Sequence, residues 1–155
     1  AGYRAIDSLR LEKGYRVWSR EVTPDHTPIE AGLTWAVKLG TDKPFRGREA
    51  LEAQRAAGLP RRRLAIFSVD DPNVVLLGRE SILREGPPVG WLSSGGFGYT
   101  IGKPLGMGYV KRDRDGVDRA FLEAGRYELE VAGERVPCTL HIRAPYDPEM
   151  SRVRS

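Results

Sequence analysis

Residues 126–143 read Arg126-Tyr127-Glu128-Leu129-Glu130-Val131-Ala132-Gly133-Glu134-Arg135-Val136-Pro137-Cys138-Thr139-Leu140-His141-Ile142-Arg143. Tyr127, Leu129 and Val131 alternate with charged residues; after Ala132-Gly133-Glu134, apolar residues alternate again at Val136, Cys138, Leu140 and Ile142. Side chains in a strand point to opposite faces with a period of two, so each run has one apolar face, and the glycine turn between them predicts a β-hairpin. Pro137 has no N–H to donate and belongs at an edge or beside a bulge.

Upstream of the hairpin the same texture continues. Short β-rich runs at 62–69, 80–85, 88–93 and 106–111 precede those at 126–132 and 135–143, separated by Gly, Pro and Asp clusters. Such a series predicts an antiparallel six-stranded β-barrel over residues 60–155. Before residue 60 the period is helical. Ile6, Leu9 and Lys13 lie on successive turns of a short helix over 3–13, which Gly14 closes. Thr27-Pro28-Ile29-Glu30 has the reciprocal capping pattern and predicts a single helical turn. Trp35, Val37 and Leu39 alternate and predict a strand over 34–39, and residues 48–57 predict a helix stopped by Gly58. The expected class is α+β, mainly β: a barrel preceded by a helix and strand segment over 1–59.

Composition narrows the chemistry. The chain has 155 residues, 40% hydrophobic and 30% charged, with 18 Gly and 11 Pro, a balance suited to one turn-rich globular unit. Basic residues number 25 against 21 acidic, so a net charge of +4 permits a nucleic-acid partner without demanding one. One cysteine and two distant histidines, His26 and His141, build neither an internal disulfide nor a zinc site, and no metal is expected. No apolar run approaches the roughly 20 residues of a membrane helix, and the N-terminus has no secretory apolar core, so a soluble, cytoplasmic protein is expected. The beginning at Ala1, almost directly in a helix, suggests a trimmed methionine or a piece of a longer chain.

Three motifs invite function. Ser94-Gly95-Gly96-Phe97-Gly98-Tyr99-Thr100-Ile101-Gly102-Lys103-Pro104 resembles a phosphate loop only superficially. Phe97 stands where the first glycine is needed, and Pro104 where a hydroxyl would bind magnesium. A bulged crossing between barrel strands is the structural alternative. Arg61-Arg62-Arg63 is either a solvated basic edge or an anion clamp, with Arg62 on the face opposite to Arg61 and Arg63. Trp91, Phe97, Tyr99 and Tyr109 either pack the fold or stack bases on an oligonucleotide-binding barrel. Spacing alone assembles no nucleophile, base and orienting group, and names no reaction.

Longer segments carry a resemblance. Asp7-Ser8-Leu9-Arg10-Leu11-Glu12-Lys13-Gly14-Tyr15, Thr23 to Leu33, Gly47-Arg48-Glu49-Ala50-Leu51, Val89 to Gly95 and Met107-Gly108-Tyr109-Val110 resemble, in order, the C-terminal region of the folate-binding aminomethyltransferases, the glycine cleavage T-protein family. The ending Tyr146-Asp147-Pro148-Glu149-Met150-Ser151-Arg152, together with Leu11-Glu12-Lys13-Gly14-Tyr15-Arg16, is similar to the C-terminal end of dimethylglycine oxidases and sarcosine or dimethylglycine dehydrogenases, in which a flavin (FAD) domain precedes the folate part.

The resemblance implies the C-terminal part of an enzyme that transfers a methylene group from a small amine donor to tetrahydrofolate. Family members enclose the folate within three domains, and their catalytic aspartate aligns ahead of Ala1, so this stretch alone would be inactive. It implies folate-cavity roles for Arg152 and Trp35, a bracing or cavity role for Arg63, and an ion-pair or ligand role for Arg10. T-proteins carry a folate-contacting arginine where this chain has Ile6, so the tail contact must differ. Apolar Ile6, Leu9, Leu33 and Trp35 would be bare in such a piece, which suggests a homodimer. The alternative of another class is a stand-alone barrel that binds nucleic acid, which would show an affinity falling steeply with salt.

Overall fold

The computed structural model describes residues 2–154. Helix α1 (Tyr3–Glu12), a 3-10 turn (Thr34–Ala36) and helix α2 (Arg48–Ala56) precede six strands. These are β1 (Arg62–Ser68), β2 (Ser81–Arg84), β3 (Pro88–Gly98), β4 (Lys103–Lys111), β5 (Tyr127–Val131) and β6 (Glu134–His141), with α3 (Arg119–Glu123) before β5 and α4 (Ser151–Arg154) after β6. The strands close into a barrel in the order β1-β4-β3-β2-β5-β6, every neighbouring pair antiparallel. The expected six-stranded barrel is therefore present, and the hairpin at its end pairs Tyr127 with Cys138 and Leu129 with Val136. Strand β6 meets β1 only from Thr139 to His141, so Pro137 falls outside the closing ladder, where its missing N–H is tolerated.

Alternation sorts the barrel wall into two buried faces. On β1, Ala65 and Phe67 enter the interior with Ile82, Leu92, Val110, Leu122 and Leu129. The outward Ile66 joins Leu105 and Met107 of β4 and receives Leu11 of α1. Helix α1 thus lies across β3 and β4 on the outside of the barrel. The glycine-rich run is its bed: a Cβ on Gly96 would stand 2.9 Å from the Leu11 side chain. Ser8 Oγ donates to Phe97 O at 2.6 Å from above. The strand shifts register between Leu92 and Ser94, so a bulge is present, but the glycines themselves continue β3 rather than forming a crossing.

The helix buries an unexpected face. Its apolar Ile6 and Leu9 are 55% and 56% exposed, while Ser8, Arg10, Leu11 and Glu12 are buried. The strand expected over 34–39 does not form. Thr34–Ala36 make a 3-10 turn, and Trp35 is 79% exposed. A strand needs a ladder partner, and a barrel closed by β1 and β6 leaves no free edge beside this segment. The capping pattern just before it is realised in full: Thr27 N donates to Glu30 Oε2 at 2.9 Å, and Glu30 N to Thr27 Oγ1 at 3.3 Å. Helix α2 forms as expected, with no fully buried residue.

Candidate functional site

The end of α1 creates the site. Gly14 has φ +64, with Gly14 N donating to Leu11 O at 3.1 Å and Tyr15 N to Arg10 O at 2.8 Å, the paired bonds of a Schellman cap. A Cβ there would stand 2.9 Å from Ile66 Cδ1, so only glycine permits both the reversal and the close approach to β1. The reversal sends Tyr15, Arg16 and Trp18 along a cleft. One wall is the turn bearing Gly32, Leu33 and Trp35, and the other is the segment after β6 from Ile142 to Met150. That segment is tied down by Tyr146 N donating to Glu12 O at 3.1 Å and by Lys13 Nζ, 3.2 Å from Asp147 Oδ2.

Two cavities, of about 380 and 620 Å³, occupy the cleft and share Lys13, Arg16, Trp35, Ala144 and Pro148. Such volumes suit a small-molecule ligand. The larger cavity adds the aromatic rings of Tyr15 and Trp18 and the side chains of Leu33 and Met150. Arg16 is half-buried, with Nε donating to Ala31 O at 3.1 Å and Nη1 to Gly14 O at 2.7 Å. Burial pushes its pKa down from the ordinary guanidinium value, an effect opposed by Tyr109 and Glu21. The two rim carboxylates are engaged, Asp147 by Lys13 and Glu149 by Arg143.

The residues named from the sequence are dispersed. Trp35 lines both cavities. Arg152 lies in α4, its guanidinium 5.8 Å from the Tyr146 ring centre. Arg63 is half-buried on β1 opposite Val110, next to Leu64 of the smaller cavity. Bracing between the N-terminal segment and the barrel is performed by Arg62, which pairs with Glu30 at 2.9 Å and also donates to Asp25 O. Burial would raise the Glu30 carboxyl, but hydrogen bonds from Arg62 and Thr27 hold it below its usual range. Arg10 is turned inward, at 2.6 Å from Asp7, 2.9 Å from Glu21 and 2.8 Å from Ser94 Oγ.

Arg16, Lys13, Tyr15 and Trp18 were not singled out as site residues from the sequence. The available signal was the cluster of basic and aromatic residues Lys13, Tyr15, Arg16 and Trp18 around the helix-ending Gly14. The aromatic set offered for base stacking does not share an open face. Tyr109 is buried under His26 at 4.3 Å, whereas Trp91 is exposed and covered by Lys111 at 4.3 Å. Burial pushes the Cys138 thiol up to about 12, which keeps it protonated and unreactive. No group of His, Cys, Asp and Glu among the described residues could hold a metal ion. No described helix is long and apolar enough to cross a membrane.

Comparison with known proteins bears on this geometry. Residues 62–147 match the family model described as the glycine cleavage T-protein C-terminal barrel domain, and residues 1–41 match the GCVT N-terminal domain. Mouse (Mus musculus) mitochondrial sarcosine dehydrogenase is 46% identical over 99% of the chain and 17% of its own length. Rat (Rattus norvegicus) mitochondrial dimethylglycine dehydrogenase is 34% identical over 90% of the chain and 15% of its own. The crystal structure of the glycine cleavage system aminomethyltransferase T from Bartonella henselae superimposes with a TM-score of 0.78 at 29% identity, covering 93% of this chain and 38% of that one. The chain thus spans about a sixth of the length of these mitochondrial relatives.

Proposed function

This chain belongs to the glycine cleavage T-protein family, and on that premise we propose that it forms the C-terminal wall of a tetrahydrofolate site in a one-carbon transfer enzyme. The observation that carries the proposal is the cleft itself. Trp35, on the family-like Leu33-Thr34-Trp35 turn, stands beside an arginine and two further aromatic rings around cavities of ligand size. Flat rings suit a pterin or benzoyl face, and the guanidinium suits a carboxylate, so the residues present fit a folate.

Tetrahydrofolate, when bound, supplies the amine that accepts the carbon unit. The residues of this chain bind and orient. Arg16 and Lys13 set a positive rim, Trp35 and Trp18 cover apolar surface, and the Asp147–Lys13 pair holds the wall after β6 in place. With Asp147 and Glu149 both paired, the cleft offers no free carboxylate for proton transfer among the described residues. On this reading the acid-base work belongs to residues outside the cleft and the chain by itself is inactive. The donor is a small N-methylated amine, as the names of the mouse and rat relatives suggest, and its oxidation is the task of a flavin (FAD) held elsewhere. The bare Ile6 and Leu9 face is where the chain associates with a second copy; a single monomeric species across concentrations in sedimentation overturns that part.

The test uses tryptophan emission, because Trp18 and Trp35 flank the cleft. Titration of the 155-residue chain with 5-methyltetrahydrofolate should quench emission saturably, and Trp35→Leu should weaken binding about 10-fold, in proportion to a lost stacking contact of ~1–3 kcal/mol per ring. Unsaturable quenching, equal in the variant, overturns the assignment. Saturable, salt-sensitive binding of an oligonucleotide in its place would favour the nucleic-acid reading.

A further inference from the structure

Three arginines lie partly buried where the N-terminal segment meets the barrel, and they differ in what they face. Arg10 has Asp7 and Glu21, and Arg62 has Glu30, each carboxylate within 2.9 Å. Arg16 has only the carbonyl oxygens of Ala31 and Gly14, and no carboxylate of the described residues lies within 4.0 Å of it. A guanidinium carries five N–H donors in a rigid plane, so two bonds to carbonyls orient it and leave the remainder to be satisfied. Those remaining donors belong to a group that lines both cavities. A Cβ on Gly32 would stand 3.1 Å from Arg16 Nη2, so the glycine keeps that nitrogen uncovered.

We infer that Arg16 is the anion anchor of this cleft, holding a carboxylate of the bound ligand through its free N–H edge. The inference rests on the small-molecule site proposed above and adds its electrostatic specificity. Every other charge that the described residues place on the cleft wall is engaged within the chain: Lys13 by Asp147, and Arg143 by Glu149. Among the described residues the cleft charge that no carboxylate contacts is therefore that of Arg16, half-buried and lining the cavity with the rings of Tyr15 and Trp35. A partly desolvated cation with a planar donor edge selects carboxylates over neutral amides. Two carboxylates are compatible with the proposed reaction, the glutamyl tail of a folate and the acid group of an N-methyl amino acid.

The probes are p-aminobenzoyl-glutamate, its uncharged diamide, sarcosine and 5-methyltetrahydrofolate, each titrated into the full chain by tryptophan emission and amide NMR shifts. The carboxylates should bind at least 10-fold more tightly than the diamide, and Arg16→Gln should remove that difference while Arg16→Lys retains part of it. Tight binding of the benzoyl-glutamate identifies the folate tail as the occupant; tight binding of sarcosine identifies the donor. Equal affinity for acid and diamide in the unaltered chain overturns the inference without recourse to any variant. Saturable 5-methyltetrahydrofolate binding that Arg16→Gln leaves unchanged overturns it while the folate site stands. No saturable binding of any probe overturns both.

Discussion

The interior of the barrel and the seam under α1 are both buried, yet they are built from opposite materials. The interior is made mainly of apolar side chains, with Phe67, Ile82, Leu92 and Leu129 all fully buried and the Tyr127 hydroxyl a polar group among them. The seam buries Arg10, Glu12 and Glu21 at 7%, 1% and 0% exposure. Its stability rests on complete satisfaction of charge rather than on area. Glu21 receives Arg10, Ser93 Oγ, Ser94 Oγ and Val17 N, and Glu12 receives Thr100 N, Thr100 Oγ1 and Ile101 N. An apolar core tolerates volume-conserving change, whereas a buried ionic network fails when one member is removed.

That contrast can be broken from either side. Phe67→Ala should cost about 3–5 kcal/mol from lost burial and a residual cavity, measured by denaturant unfolding. Phe67→Leu should cost far less, and equal losses would contradict an interior held by packing volume. At the seam, Arg10→Met should cost about 3 kcal/mol, because it leaves Glu21 buried without its cation. The double variant Arg10→Met/Glu21→Leu should be more stable than Arg10→Met alone. A strictly additive double-mutant cycle would show that the pair is not coupled.

Smaller effects sharpen the picture at the edges. Glu12→Gln should lose about 1–3 kcal/mol, since an amide cannot accept all three bonds to the Thr100–Ile101 turn that the carboxylate accepts. Slowed amide exchange preserved at Thr100 and Ile101 in that variant would count against it. Thr27→Ala should cost about 1 kcal/mol as a lost cap. It also bears on acid stability. Glu30 is held below its ordinary pKa, so its contribution is present above that value and is lost as pH falls through the depressed one. Loss of the Thr27 hydroxyl takes away one of the contacts that lower Glu30, while the backbone N–H bond to its carboxylate stays, so this loss should shift modestly to higher pH in a melting-temperature profile. Burial, reinforced by Arg62, also lowers His26, so the unfolded chain takes up its proton first and stability should begin to fall already as pH drops through the usual histidine range, about 6.5.

The barrel was legible because its signals are local. The alternation in β1, β5 and β6 and the Ala132-Gly133 turn follow from the two-residue period of a strand, whichever neighbours it acquires. The Thr27–Glu30 cap and the glycine stop after α1 were legible for the same reason. The segment at Trp35 was misread because its alternation resembles a strand, while strand formation depends on a partner edge that the closed barrel does not offer. The cleft was half legible. Trp35 was found through family resemblance, but Arg16, though part of the Leu11–Arg16 stretch that carries that resemblance, received no role of its own, since nothing in a linear order distinguishes a paired arginine from an unpaired one.

From the order of residues alone came the class of fold, the six strands and the family, because period, turn chemistry and motif order are properties of the chain read in one dimension. Only the folded molecule decided that α1 turns its polar side inward, that Arg10 is spent on Glu21, and that Arg16 is left to face a cavity. Those outcomes depend on which groups, far apart along the chain, come within hydrogen-bonding reach. Ser94, 84 positions from Arg10, is one of the partners that settles them.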